Sequence, residues 1–274
     1  ERVWMGVPSW PNHAQIYADL GMELKTFAHA TKGGVTDMDA LRAAITEAKP
    51  GDAILLHGCC HNPTGIDYSP AQWDEIAPLV AEAKLLPILD LAYQGLGKGM
   101  EEDAYGVRRV LAEVPEALIA YSCDKNFGMY RDRVGAIYVL AENAEVLGRV
   151  LSNGHALARA AWSMPPDHGG AAVRLILEDP ALTAMWLDEL DSMRTRMSQV
   201  RARLAAAGQQ GGVDFTPLGS QNGLFSIVPL SSEQIQQLRT DHGIYMAGSG
   251  RINAAGLTMA NIDKFIADVA AVSA

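Results

Sequence analysis

Three short apolar runs, AILL at 53–56, LPIL at 86–89 and ALIAY at 117–121, each lead into a polar island: HNPTG at 61–65, DLAYQG at 90–95 and SCDKNFGMYRDR at 122–133. Runs of this length bounded by turn-forming residues read as buried strands, and helical segments lie between them. Strands alternating with helices imply a mostly parallel sheet. In such sheets ligands bind beyond the carboxyl ends of the strands, which is where Asn62, Asp90 and Lys125 fall. Three unconnected segments therefore point at one pocket.

Helices are expected near 12–20, 37–48, 70–84 and 103–112, with Gly21 closing the first and Ser69-Pro70 opening the third as N-cap and first helical residue. Beyond 140 the pattern turns helical, over 142–160 and again over 180–207, where Gly208 is the stop. Residues 213–274 carry two strand candidates, LFSIV at 224–228 and the segment around IYM at 244–246. Two helices accompany them, at 232–242 and 259–272, the latter capped by Thr258. The expected organisation is a large α/β domain over 1–190 and a smaller C-terminal α+β domain over 191–274 that includes the end of a long connecting helix. Glu1 opens directly into VWMGV with no initiator methionine, so an upstream segment is expected to be missing or removed.

The 274 residues are 49% hydrophobic, enough for a substantial core. No apolar stretch is long enough to span a membrane, and ERVWMGV lacks the layout of a signal peptide, so the expected location is cytoplasmic. Lysine and arginine total 22 against 32 acidic residues; the net charge of -10 disfavours nucleic acid and anionic membranes as partners. An anionic substrate must then be held by local arginines. Three cysteines form no disulfide framework. HGCCH at 57–61 invites a metal reading, but it lacks usual zinc-ligand spacing and leads straight into the NPTG turn, so no metal is expected.

A lysine that condenses with an aldehyde must be able to exist as a free amine, and Lys125 at the end of an apolar strand suits that task. An aspartate at a strand end, Asp90, can pair with a protonated pyridine nitrogen and keep the ring electron-poor. Tyr93 and Asn62 can both donate hydrogen bonds to a phenolate oxygen. Arg133 offers a planar fork for a phosphate and Ser122 a hydroxyl, although a surface arginine reads equally well there. With these motifs in place, from PSWPNH at 8–13 to SGRIN at 249–253, the chain closely resembles the aspartate and aromatic aminotransferases of the fold-type-I pyridoxal-phosphate enzymes.

That resemblance implies the α/β transferase fold of type I: a mostly parallel central sheet flanked by helices. It implies pyridoxal 5'-phosphate as cofactor, with Lys125 as Schiff-base lysine and proton carrier and Asp90 as pyridinium partner. Asn62 and Tyr93 would hold the phenolate oxygen, and Ser122 and Arg133 the phosphate. Trp10 would stack on the ring, with His13 behind Asp90. Arg251 would bind the substrate α-carboxylate beside Phe225. Arg159, which also reads as the solvated face of a helix, would reach into a neighbouring subunit to hold a side-chain carboxylate, making the enzyme a homodimer. The implied reaction moves an amino group from aspartate, glutamate or an aromatic amino acid to a 2-oxo acid such as 2-oxoglutarate.

Three departures qualify the resemblance. Asp124 stands before the lysine where the family usually has a small hydroxyl residue, and is expected to weaken cofactor binding unless it pairs with Arg131 or Arg133. Met164 replaces a common asparagine. The family's N-terminal portion, with its phosphate-cradling turn, has no counterpart, so weak cofactor binding and an inactive or incomplete aminotransferase fragment form the alternative reading. A remote rival is a short-chain NAD oxidoreductase, because Tyr121 and Lys125 match YxxxK; that pair works from one face of a helix, whereas ALIAYS reads as a strand.

Overall fold

Alternation along the strands decides which side of the sheet each residue serves. In the computed structural model, which describes residues 1–274, strands β1 (Arg2–Val7), β2 (Glu23–Ala28), β3 (Ala53–His57), β4 (Leu86–Leu91), β5 (Ala117–Ser122) and β6 (Gly135–Leu140) form one sheet in the order β2-β1-β3-β4-β5-β6. All neighbours are parallel except β5 and β6. Trp4, Ile54, Leu56, Leu89, Leu91 and Ile119 face one side and join the main core. Val3, Met5, Ala53 and Leu55 face the other, where Tyr17 and a partly buried Ile88 complete a much smaller cluster. Period two puts Asp90 on this second, thinly covered side with Ile88.

The main core is covered by α2 (Met38–Glu47), α3 (Pro70–Glu82) and α5 (Tyr105–Leu111), which follows the short α4 (Met100–Asp103). α3 starts on a Ser69 capping box with Pro70 at its first turn, as expected. Its Trp73 leaves no room for a side chain at Gly106, where a Cβ would lie 2.1 Å from the indole. The helix expected over 103–112 starts at Tyr105; Asp103 instead closes α4, and its carboxylate accepts from the backbone N–H groups of Gly95, Gly97 and Lys98. On the opposite side α1 (Pro11–Asp19) supplies Tyr17 and ends before Gly21, whose φ of +72° closes the turn.

Beyond β6 come α6 (Ala144–Trp162), α7 (His168–Glu178) and the 27-residue α8 (Pro180–Ala206). α8 places Leu190 and Met197 in the main core and Val200 and Leu204 in a second core built by the C-terminal residues. That second core contains a two-residue hairpin, β7 (Gln209–Gln210) and β8 (Val213–Asp214), then β9 (Phe225–Ile227), α9 (Ser232–His242), β10 (Arg251–Asn253) and α10 (Ile262–Val272). The division at 190/191 stays a proposal; α8 joins both cores, and Met197 and Leu224 beyond that point belong to the main one.

Two expectations for the C-terminal part need correction. The second strand is not at 244–246 but at Arg251–Asn253, antiparallel to β9 with Arg251 opposite Ile227. Ile244 and Met246 pack on the second core from a loop, and Gly250, at φ +78°, turns the chain into the strand. The last helix starts at Ile262 rather than 259, because the Asn261 side chain accepts from Thr258 N–H and holds 259–261 in a turn. No helix is long and apolar enough to cross a membrane.

Candidate active site

The thinly covered side of the sheet opens into a cavity of about 570 Å³, bounded by the ends of β3, β4 and β5, by α1 and by β9 and β10. Ten of the eleven side chains singled out from sequence line it: Trp10, His13, Asn62, Asp90, Tyr93, Ser122, Lys125, Arg133, Phe225 and Arg251. Arg159 does not. It sits exposed on α6, and no carboxylate of its own chain pairs with it. Met164 is also exposed and outside the lining. A larger cavity of about 830 Å³ lies between segment 243–247 and α10, sharing only Phe225 and Arg251 with the first.

Asp90, next to last in β4, has its Oδ2 3.1 Å from His13 Nε2. A carboxylate can only accept, so Nε2 carries a proton, and His13 Nδ1 lies 3.1 Å from Ser9 Oγ on its other side. Ser9 Oγ is in turn hydrogen-bonded to His57 Nε2 at 3.0 Å, which links His57 to Asp90 through Ser9 and His13. Burial pushes the Asp90 carboxyl up, but the His13 hydrogen bond and the charges of His57, His13 and Lys125 outweigh it and hold it below its ordinary value. Asp90 is therefore a carboxylate at neutral pH. Its Oδ1 makes no hydrogen bond within the chain.

Tyr93, on the turn after β4, accepts from Asn62 Nδ2 at 3.3 Å, and Asn62 Oδ1 accepts from Arg251 Nη1 at 3.2 Å. Burial and then the charge of Asp90 raise the Tyr93 phenol, so it keeps its proton and can donate it. Arg251 lays its guanidinium 4.6 Å from the Phe225 ring centroid, leaving the rest of its fork free. Lys125 Nζ stands 5.1 Å from the Tyr93 centroid and 5.9 Å from that of Tyr130, with no hydrogen-bond acceptor. Trp10 packs edge-on against His13 at 5.1 Å and remains 36% exposed.

At the end of β5, Ser122 Oγ accepts from Asp124 N–H at 3.1 Å. Arg133 donates to Asp124 Oδ2 at 2.5 Å and to the Tyr130 carbonyl at 3.0 Å. Asp124 thus takes the arginine partner that its position called for. Tyr121 lies on β5 and accepts from Asn126 Nδ2, so Tyr121 and Lys125 do not share a helix face and the oxidoreductase reading falls.

HGCCH places His57 beside His13 and Asp90, and Cys59 and Cys60 in a buried grouping with Asp103, while His61 bonds to Thr64. Ser9 bridges His57 and His13, the Asp103 carboxylate accepts from Gly95 and Gly97 N–H, and Cys60 Sγ donates to the Tyr93 carbonyl at 3.8 Å. Sequence reasoning missed Ser9 and His57, although a serine four residues before His13 on the same approach to a helix was a usable signal. It also missed Arg201 of α8, which gives no sign of burial in a polar stretch.

Comparison with known proteins gives one consistent answer. The family described as "Aminotransferase class I and II" matches residues 1–269. A tyrosine aminotransferase of Rhizobium meliloti strain 1021 is 49% identical over 259 residues, which cover 94% of this chain and 67% of that protein. The aspartate aminotransferase of Escherichia coli K12 is 42% identical over 275 residues, covering 99% and 69%. A solved aromatic-amino-acid aminotransferase from Burkholderia pseudomallei, covalently bound to pyridoxal phosphate, superposes with a TM-score of 0.93 at 37% identity, covering 100% of this chain and 69% of that one.

Proposed function

The chain belongs to the class I and II aminotransferases, and from that premise we propose that its cavity uses pyridoxal phosphate to move an amino group from aspartate, glutamate or an aromatic amino acid to a 2-oxo acid such as 2-oxoglutarate. The reading rests on one observation: Asp90, Lys125, the Tyr93–Asn62 pair and Arg251 converge on a single cavity with unmet bonding capacity. The donor set fits the cofactor. Asp90 Oδ1 and Lys125 Nζ lack hydrogen-bond partners, and Ser122 and Arg133 stand at one end.

Bound there, pyridoxal phosphate supplies an electron sink for the charge that develops when the substrate α-carbon loses its proton. Asp90, kept ionised by the bond from His13, would hold a proton on the ring nitrogen. Tyr93 donates its O–H to the ring oxygen, steadied by Asn62. Arg251 takes the substrate α-carboxylate on its free fork, and Phe225 fixes the plane of that guanidinium. Lys125 Nζ would carry the proton taken from the substrate α-carbon. Trp10, at the exposed rim of the cavity, would cover the ring.

Arg159 has no role within one chain. We assign it to the site of a second copy in a homodimer, where it binds a side-chain carboxylate. The exposed Val150, Leu151, Leu157 and Trp162 of α6 support such an interface. Three buried free cysteines favour the cytoplasm. The test is Lys125→Ala: transamination of aspartate and phenylalanine should disappear while circular dichroism stays native. Retained turnover would remove Lys125 from the chemistry.

A further inference from the structure

We propose that Asn126 and Trp186 are positioning residues for Lys125: together they clamp the turn that carries its backbone to β5, to the turn after β4 and to α8, and so set how Nζ meets its reacting partner. The inference rests on the reading that Lys125 condenses with pyridoxal phosphate, and it concerns what holds that lysine in place.

The Lys125 side chain is not held by bonds of its own. Its Nζ has no hydrogen-bond acceptor and only the rings of Tyr93 and Tyr130 nearby, at 5.1 and 5.9 Å from their centroids. A flexible four-carbon stem keeps its rotamer freedom, so the reach of the amine depends on where its backbone sits. The turn does not hold itself firmly either. Its own backbone bonds, from Phe127 N–H to the Cys123 carbonyl and from Gly128 N–H to the Lys125 carbonyl, are both 3.3 Å, which is long for this type of bond.

The shorter bonds come from outside the turn. Asn126 is 1% exposed, and its Nδ2 donates to Tyr121 Oη on β5 at 2.9 Å and to the Gln94 carbonyl at 3.2 Å. It therefore ties the residue after Lys125 to the residue after Tyr93, two side chains that serve the same cofactor. Trp186 of α8 donates from Nε1 to the Asn126 carbonyl at 2.8 Å, and its ring stacks on Phe127 with centroids 4.3 Å apart and planes 8° from parallel. Because α8 contributes to both cores, this contact anchors the lysine turn to the helix they share. Asn126 Oδ1 is buried without a partner. An unmet buried acceptor is costly, so packing alone favours an apolar residue here, whereas bridging Tyr121 and Gln94 requires a side-chain donor.

The test compares the native chain with Asn126→Ala and with Trp186→Phe, which keeps a ring against Phe127 and removes the N–H donor. Two readouts are taken on chains shown to be folded by circular dichroism: the rate at which pyridoxal phosphate and cyanoborohydride label Lys125, and kcat and KM for aspartate. Asn126→Ala should lower both the labelling rate and kcat by about 10–100-fold and Trp186→Phe by at least about threefold, because a slightly misplaced reacting group loses that much. KM should stay near the native value, since neither side chain bonds to Arg251. Folded variants that label Lys125 and turn over at the native rate overturn the inference and leave the cofactor reading intact, and so does a loss confined to melting temperature or to KM. No label on Lys125 of the folded native chain overturns both. If Asn126→Ala fails to fold, Trp186→Phe decides.

Discussion

Replacing Arg201 with methionine should cost more stability than any surface change, because this buried cation has no carboxylate and is held by oxygens of one segment. From α8 its guanidinium donates to the carbonyls of Gly223 at 2.7 Å, Phe225 at 2.8 Å, Asn222 at 3.2 Å and Leu218 at 3.4 Å, and to Ser226 Oγ at 2.7 Å. Burial lowers Arg201 to about 10, which still leaves it charged at neutral pH. The segment it gathers lies on the HNPTG loop: Asn222 N–H donates to the Gly65 carbonyl at 2.8 Å, and its side chain to Asp67 Oδ2 at 3.1 Å. The fit is close enough that a Cβ on Gly65 would lie 2.6 Å from the Phe225 carbonyl.

Methionine fills much of the arginine volume but leaves those acceptors without a donor. Each unmet acceptor costs about 1–3 kcal/mol, and relief of the buried charge offsets part of the sum, so the net loss should be about 3–5 kcal/mol. At roughly 2–4 °C per kcal/mol, that lowers the melting temperature by about 10 °C. Urea unfolding followed by circular dichroism measures it. Arg201→Lys should recover less than half, because an ammonium has three donors and no planar fork. A loss below about 1 kcal/mol for Arg201→Met would refute the reasoning.

Two further predictions concern pH and substrate choice. Burial holds His29 and His57 at about 4, against an ordinary value of 6.5. The unfolded chain binds these protons first, so stability is full above pH 6.5 and falls as the pH drops toward 4. His29→Gln should flatten the urea midpoint over that window, and an unchanged slope would contradict the assignment. Arg159→Ala should reduce kcat/KM for aspartate by at least about tenfold while changing phenylalanine little, since one charged hydrogen-bonded contact is worth about 1.5–3 kcal/mol. Equal losses for both substrates would exclude a distal-carboxylate role.

The central strands and the cavity were legible because they combine two signals: an apolar run followed by a polar island marks a strand end, and strand ends meet at one edge of a parallel sheet. β2, with ELKTFA at the sheet edge, and β6, whose Ile137 and Tyr138 are exposed, lack the burial that makes a strand readable. α7 opens with His168-Gly169-Gly170, which hides its start. The Ser9–His57 link and the Arg201 hub depend on residues 48 and about 20 positions apart meeting in space, and no local pattern encodes such meetings. Asp124 was legible as an oddity. Its pairing with Arg133 depended on the left-handed turn at Arg133, with φ of +54°.

The most direct test of the central claim is to incubate the purified chain with pyridoxal phosphate, reduce with borohydride and locate the label by peptide mass. The account predicts a pyridoxyl label on Lys125 that is absent from the Lys125→Ala variant. A label on another lysine, or none on a folded chain, would contradict it.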